Sequence, residues 1–345
     1  EFNKFQEGCV EENTNTASLV EKLLSEDKKD KIIVTTIQKL GIALGNDTIN
    51  NKTDDKKKPN PYKEQLKKIE DKRFVFIFDE CHRSQFGDNH KAIKKFFPNS
   101  QLFGFTGTPI FEENASRTKI QDNEQSYLTT EDIFEKELHK YTITNAIDDK
   151  TVLKFHVEHY DRTNREDNIK PSSSSVKRKI VDAILKKHQL LTDEMRFNSI
   201  FATYRINDAI EYYNLFKEMQ ENNEYIKRKL NIACVFTPPA ETKDIEQIQN
   251  DLPQEKEDYK EQPQEKKAAL INIINDYNKQ YGTNYNINTF YDYYKDIQTR
   301  IKSQQYTNKD FNYNKKVDIV IVVDMLLTGF DSKYLNTLYV DKNLK

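Results

Sequence analysis

The sequence predicts an α/β protein built from two parallel-sheet units, and three observations carry that prediction. Short, almost unbroken apolar runs alternate with longer amphipathic stretches, the pattern of strands covered on both faces and joined by crossover helices. The chain has 345 residues, more than one core of ordinary size encloses, so about two domains are expected. Pro171 and the serines that follow it, just after the charged stretch Asp161–Lys170, read as a linker. The expected domains are therefore 1–170 and 171–345.

The elements follow in order. In the first half, the β-branched run KIIVT (Lys31–Thr35), the aromatic run FVFIF (Phe74–Phe78), LFGFT (Leu102–Thr106) and the stretch Val152–Tyr160 read as strands. In the second half the strands are Ser199–Thr203, Asn231–Thr237, Asp318–Val323 and Thr337–Val340. Helices fall between them at His90–Phe97, Ser174–Leu191, Ile206–Gln220, Lys266–Tyr281 and Phe290–Ile301. Leu270, Ile273, Ile274 and Tyr277 form one apolar stripe at helical spacing. Each half should thus be a three-layer unit, since helices must lie on the faces of the sheet. Two polar segments read as solvent-exposed insertions: Thr48–Lys58, with its lysine run, and Pro238–Gln264, where PQEK occurs at 253–256 and again at 263–266. That echo reads as low complexity.

Composition excludes several classes. With 54 Lys and Arg against 56 Asp and Glu, the formal charge is −2, which rules out a basic tail but not a local basic groove. No run approaches the ~18–20 apolar residues of a membrane span, and no signal segment opens the chain. The first residue is Glu1 rather than Met, so the chain reads as an excerpt. Cys9, Cys81 and Cys234 are too few and too scattered for a disulfide framework, which points to a reducing compartment. The expectation is a soluble, cytoplasmic protein.

The strongest chemical signal is FVFIFDECHRS at 74–84. An apolar strand runs straight into Asp79 and Glu80, placing two carboxylates at the C-terminal edge of a parallel sheet, where open α/β sheets bind ligands. Adjacent acids there fit a Walker-B site. Asp79 would hold Mg²⁺ through water, and Glu80 would orient or deprotonate the water that attacks a γ-phosphate. Taken alone, an Asp-Glu pair is equally a solvated turn. Downstream, FGFTGTPI (103–110) ends a second apolar strand in Thr106, Gly107 and Thr108. Such a small, hydroxylic turn can hydrogen-bond the acidic pair and report the nucleotide state. Two successive strands ending DECH and TGTP, one helix apart, mark an ATPase core of the helicase type.

At this point a family resemblance becomes specific. IIVTTIQKL (32–40), FIFDECHRSQFGD (76–88), FGFTGTPIF (103–111) and VDIVIVVDMLLTGFDS…LNTLYVDKNL (317–344) resemble the HsdR motor subunit of type I restriction–modification enzymes. HsdR is a superfamily-2 DNA translocase. The resemblance implies two RecA-like domains, use of ATP with Mg²⁺, double-stranded DNA as the track, and methyltransferase and specificity subunits as partners. It also implies an N-terminal nuclease domain that cuts the DNA after translocation. Residue by residue, Asp79, Glu80 and His82 match motif II, and Thr106 and Thr108 match motif III, which couples hydrolysis to DNA. Thr35, Thr36 and Gln38 match a DNA-backbone contact, a role suited to hydroxyls and an amide. FATYRINDA (201–209) resembles motif IV, with Tyr204 and Arg205 in the turn after a strand. MLLTGFDS (325–332) resembles motif V, where Thr328 would face DNA and Gly329 and Asp331 the nucleotide. ATP would sit in a cleft between the domains, and DNA contacts on both would alternate their grip.

The departures are equally specific. No GxxxxGK[ST] occurs, so the lysine and backbone cradle of a triphosphate are missing, and no arginine-bearing motif VI follows motif V. Glu70-Asp71-Lys72 spells E-x-K on a polar segment and reads as solvated surface rather than a nuclease site. By the family pattern, both RecA-like domains are incomplete, and the chain alone is expected to show little or no ATPase, because an arginine finger by itself is worth ~10³–10⁵ in rate.

Other signals read as structural. Cys81-His82 offers at most two metal ligands, and His156 and His159 fall on opposite faces of the expected strand. Cys81 lacks a base and an orienting partner for nucleophilic chemistry. Phe290–Tyr294 could stack bases but at helical spacing reads as a packing face. Lys56–Lys58 and Lys177–Lys179 read as solvated charge. Two other functions remain open on sequence: an RNA or DNA-repair helicase sharing the core, and a non-catalytic interaction module.

Overall fold

The computed structural model describes residues 2–5, 7, 15–45, 60–81, 86–112, 129–159, 173–221, 228–241, 245, 248–249, 252–302 and 315–342. Chain contacts divide it into two compact units, Glu1–His156 and Val157–Lys345. Both are α/β with parallel, RecA-like sheets. Among the described residues, no helix is long and apolar enough to cross a membrane.

The first unit runs α1 (Phe2–Phe5), α2 (Thr16–Leu24), α3 (Ile37–Ala43), α4 (Pro61–Leu66), β1 (Val75–Phe78), α5 (Phe86–Phe96), β2 (Gln101–Gly104), α6 (Thr130–Phe134) and α7 (Ile143–Asp148). Short helices here depend on their caps. Asn15, Thr36, Asn60, Thr129 and Thr142 each accept from a backbone N–H of the first turn with a side-chain oxygen. The core gathers Leu19, Val20, Leu40, Ala43, Leu66, Ile69, Ile93 and Phe97. β1 and β2 pair in parallel, Val75 opposite Gln101 and Phe78 opposite Gly104. Phe74, Phe76, Phe78 and Leu102 pack on that core. The expected double coverage fails on the other face: Val75 is 55% exposed and Ile77 70%, among the described residues.

Two expected strands are not strands. Lys31–Thr35 lies between a 3₁₀ turn capped by Asp27 and α3 capped by Thr36, and it joins no ladder among the described residues. Ile33 reaches the helical core without strand pairing. Of the expected strand Val152–Tyr160, Tyr160 lies outside the described residues, and residues 152–159 have no strand partner among the described residues, with Leu153, Phe155 and Val157 exposed. Alternation gave the right local pattern, but a strand exists only with a neighbour to bond. The opposite-face argument for His156 and His159 therefore lapses. Thr48–Lys58 and, of the expected linker, Pro171 and Ser172 lie outside the described residues, whereas Ser173 is the N-cap residue of the helix Ser174–Leu191 and Ser174 and Ser175 form its first turn.

The second unit follows its sequence closely: α8 (Ser174–Leu191), β3 (Asn198–Thr203), α9 (Ile206–Glu221), β4 (Ile232–Val235), α10 (Pro253–Asp258), α11 (Pro263–Tyr281), α12 (Phe290–Lys302), β5 (Ile319–Val322) and β6 (Leu335–Asp341). Its sheet is parallel in the order β4-β5-β3-β6. β3, β4 and β5 are buried at every position, and β6 alternates as an edge strand should. Phe201, Tyr212, Phe216, Phe236, Phe290 and Tyr293 are among its fully buried side chains. Each contributes ~1.5–3 kcal/mol by leaving water. α11 starts with Pro263 and ends at Gly282 with φ +67°, a left-handed stop that suits glycine. In α12, Phe290 and Tyr293 are buried and the Tyr293 hydroxyl donates to the Cys234 carbonyl at 2.7 Å, so this face packs.

Charged groups also enter this core. Lys177, expected to be solvated, is 4% exposed and donates to Asp208 and Glu211, each at 2.5 Å. Its ammonium thereby ties α8 to α9. Asp318 is held by a bidentate pair with Arg228 and by Lys316 at 3.4 Å.

Candidate active site

In the first unit, parallel pairing continues past the ends of both strands. The Phe105 N–H donates to the Phe78 carbonyl at 2.8 Å, and the Cys81 N–H donates to the Phe105 carbonyl at 3.1 Å. These two bonds set the Asp79–Cys81 turn directly beside the Phe105–Thr108 turn. Glu80 makes the bend possible by adopting φ +50°, a left-handed conformation that costs a non-glycine residue ~1 kcal/mol or more. Its N–H donates to Asp79 Oδ1 at 3.0 Å. Asp79 is exposed and Glu80 half-buried. The Thr106 hydroxyl accepts from the Thr108 N–H at 3.0 Å, closing a tight turn around Gly107.

The edge is fixed from behind. Cys81 is buried with Ile133, and Ile37, Phe78 and Phe134 pack against the pair. A Cβ on Gly104 would fall 2.3 Å from the Phe134 ring, so β2 needs glycine to let α6 approach. Burial pushes the Cys81 thiol up to about 11, with the charges of Glu80 and Asp79 adding to the effect. That leaves a thiol, not a nucleophile.

Ile37 also brings the start of α3 to this cluster. Thr36 uses its hydroxyl to cap α3, accepting from the Lys39 N–H at 3.3 Å. Gln38 lies half-buried in the first turn, and Thr35 Oγ1 is buried without a hydrogen-bond partner among the described residues. His82 lies outside the described residues.

In the second unit, Tyr204 and Arg205 directly follow β3 and are exposed, with the guanidinium 5.6 Å from the tyrosine ring centroid. The turn 324–331 follows β5, the neighbour of β3, so both turns lie on one edge. Leu326 (φ +64°) and Gly329 (φ +70°) shape it, and Thr328, Gly329 and Asp331 are exposed.

Residues 1–190 match the SWI2/SNF2 ATPase family, and residues 195–345 match the family described as type I restriction enzyme subunit R domain 3. The chain is 38% identical, over its whole length, to the type I restriction enzyme SauCOLORF180P endonuclease subunit of Staphylococcus aureus (strain COL). It is 37% identical, again over its whole length, to the SsaAORF53P endonuclease subunit of Staphylococcus saprophyticus.

This chain belongs to the HsdR (R-subunit) family of type I restriction enzymes.

A more distant HsdR relative, the putative MjaVIIP endonuclease subunit of Methanocaldococcus jannaschii, is 24% identical over 85% of the chain. The chain spans 33% and 34% of the length of the two staphylococcal relatives. Within this HsdR segment the structure brings Asp79 and Glu80 together with Thr106 and Thr108. It also places Tyr204 and Arg205 on one edge with Thr328, Gly329 and Asp331. Among the described residues, no cluster of three or more histidines, cysteines and acids could hold a metal by itself.

Sequence reasoning missed part of the second edge. Pro238–Gln264 is not a solvent-exposed insertion where it is described: Gln249 is 3% exposed, Glu255 0% and Asp258 8%. Both PQEK copies begin helices, α10 at Pro253 and α11 at Pro263, so the echo marks two N-termini with proline in the first turn. That proline spacing was the available signal.

Proposed function

We propose that the chain is the motor segment of an HsdR subunit, coupling ATP hydrolysis to translocation along double-stranded DNA before cleavage. Its first motor domain would span 1–170 and its second 171–345. The observation that carries the reading is the Cys81–Phe105 backbone bond, which aligns the Asp-Glu turn with the Thr-Gly-Thr turn on one sheet edge.

The Asp79-Glu80 edge fits the Mg²⁺ that would accompany a nucleotide. Asp79 is exposed, and its carboxylate accepts one bond, through Oδ1, leaving oxygen for a hydrated hard cation. Bound there, Mg²⁺ supplies charge neutralisation at the phosphates. Glu80 sits next in the chain, turned by its left-handed backbone, and orients the attacking water and takes its proton. Thr106 and Thr108 carry the state of that edge towards DNA. Thr35, Thr36, Gln38, Tyr204, Arg205 and Thr328 serve as backbone contacts, and Gly329 and Asp331 face the nucleotide. Methyltransferase and specificity subunits would be the partners, in the cytoplasm.

The test is phosphate release by the full-length subunit in its complex, with duplex DNA as stimulant and Glu80→Gln as control. Duplex-stimulated turnover that Glu80→Gln abolishes supports the reading. Preferential stimulation by RNA or single strands would favour a helicase.

A further inference from the structure

The C-terminal edge of the second sheet is held by a helix of six residues. α10 (Pro253–Asp258) lies against the strand ends and bonds to three of them directly. Glu255 Oε2 accepts from the Thr237 N–H at 2.7 Å and from the Thr237 hydroxyl at 2.8 Å, just past β4. Its Oε1 accepts from the Asp324 N–H at 3.2 Å, where β5 passes into the 324–331 turn. Asp258 Oδ2 accepts from the Ile206 N–H at 2.7 Å, the residue immediately after Tyr204 and Arg205. The fourth strand is reached through Asp324. It accepts from the Gln254 N–H and from Lys342 Nζ, each at 3.0 Å, and Lys342 follows β6. Gln254 Nε2 in turn donates to Asp258 Oδ1 at 3.1 Å.

A buried carboxylate is an expensive way to fill space. Glu255 is fully buried and receives three N–H and O–H bonds, and among the described residues no cation bonds to it. An apolar side chain would fill the same volume at lower cost. What an apolar side chain could not do is fix the direction of the Asp324 and Thr237 N–H groups. Asp258 acts likewise on the Ile206 N–H, one of the donors at the α9 N-terminus that its helix leaves unpaired.

We propose that Glu255 and Asp258 are positioning residues that set the turns after β3 and β5, and so determine how the second unit engages DNA. This deepens the motor reading and rests on it for the ligand, although the brace itself is a property of the fold. Neither residue touches the nucleic acid. They hold the backbone from which Tyr204, Arg205 and Thr328 project.

Two measurements on Glu255→Gln and Asp258→Asn test this, with Glu257→Gln, an exposed residue of the same helix, as control. The first is amide hydrogen exchange on the chain itself. Both variants should speed exchange at least tenfold in 203–207 and 323–330, leaving the β1–β2 ladder unchanged, with Glu257→Gln like the parent. The second is duplex-stimulated phosphate release by the complete complex. The half-saturating DNA concentration should rise at least fivefold in both variants, with nucleotide affinity held within twofold, and Glu255→Asp should recover part of the loss. A purely structural role would reduce the active fraction without moving half-saturation. Unchanged exchange in both turns, or unchanged half-saturation in a complex that hydrolyses ATP, overturns the proposal. If the parent complex shows no duplex-stimulated hydrolysis, the motor reading fails instead, and exchange alone decides the brace.

Discussion

The backbone N–H of Cys81 donates to the carbonyl of Phe105 at 3.1 Å, beyond the last paired residues of β1 and β2, Phe78 and Gly104. Together with the bond from the Phe105 N–H to the Phe78 carbonyl at 2.8 Å, it sets the Asp79-Glu80 turn beside the Thr106–Thr108 turn. Anything that shifts β2 against β1 by one residue would separate them.

Glu80→Gln should leave nucleotide binding within about twofold and reduce hydrolysis about 10²–10⁴-fold, the range of a lost general base. Parallel measurements of nucleotide affinity and phosphate release separate the two effects.

The hydroxyls of Thr35 and Thr36 should behave oppositely in chemical denaturation. Thr36 caps α3, so Thr36→Ala should cost about 1 kcal/mol. Thr35 Oγ1 is buried without a partner among the described residues, so Thr35→Val should be neutral or stabilising. On the proposed DNA-backbone role, Thr35→Val should at the same time weaken DNA binding by the complex; unchanged DNA binding would remove Thr35 from the contacts.

Lys177→Met leaves Asp208 and Glu211 facing each other without their shared cation. Breaking such a partly buried pair costs about 3–5 kcal/mol. Denaturant titration of the chain, with Arg178→Met at the exposed Glu218 pair as comparison, should show a far smaller loss for the latter.

Glu255 gives stability a pH dependence whose sign is unusual for a carboxylate. Burial pushes it up to about 7, against bonds from Thr237 and Asp324 that lower it and a charge on Asp324 that raises it. Tyr259, Tyr294 and Cys234 are the other titratable groups facing it. A raised pKa means the folded state holds the proton more tightly. Its contribution is therefore complete below about pH 4.5 and lost as pH rises through about 7. Between pH 5 and 7.5 the stability advantage of the parent over Glu255→Gln should shrink by on the order of 3 kcal/mol. A constant difference across that range would place Glu255 outside the buried network.

Much of this was legible in the sequence, and the exceptions share a cause. Ser174–Leu191 forms a helix over the residues its periodicity gave, and β3 and β5 were visible as apolar runs because both faces are covered. The Asp79 and Thr106 turns were legible because each motif directly ends its own strand. Lys31–Thr35 and the described part of Val152–Tyr160 carry strand-like spelling but have no pairing partner among the described residues, which local pattern cannot reveal. Glu255 was hidden for the same reason. Its role depends on Thr237 and Asp324, distant in sequence, and its own segment reads as polar and repetitive. Lys177 looked solvated because its two acids lie on another helix.

We propose that the Asp79-Glu80 edge hydrolyses ATP under the control of duplex DNA. Phosphate release by the full-length subunit in its complex, with linear duplex, single-stranded DNA and RNA in parallel, tests it most directly. The account predicts stimulation mainly by the duplex and its loss in Glu80→Gln. Duplex-stimulated turnover that survives Glu80→Gln, or stimulation confined to RNA or single strands, would contradict it.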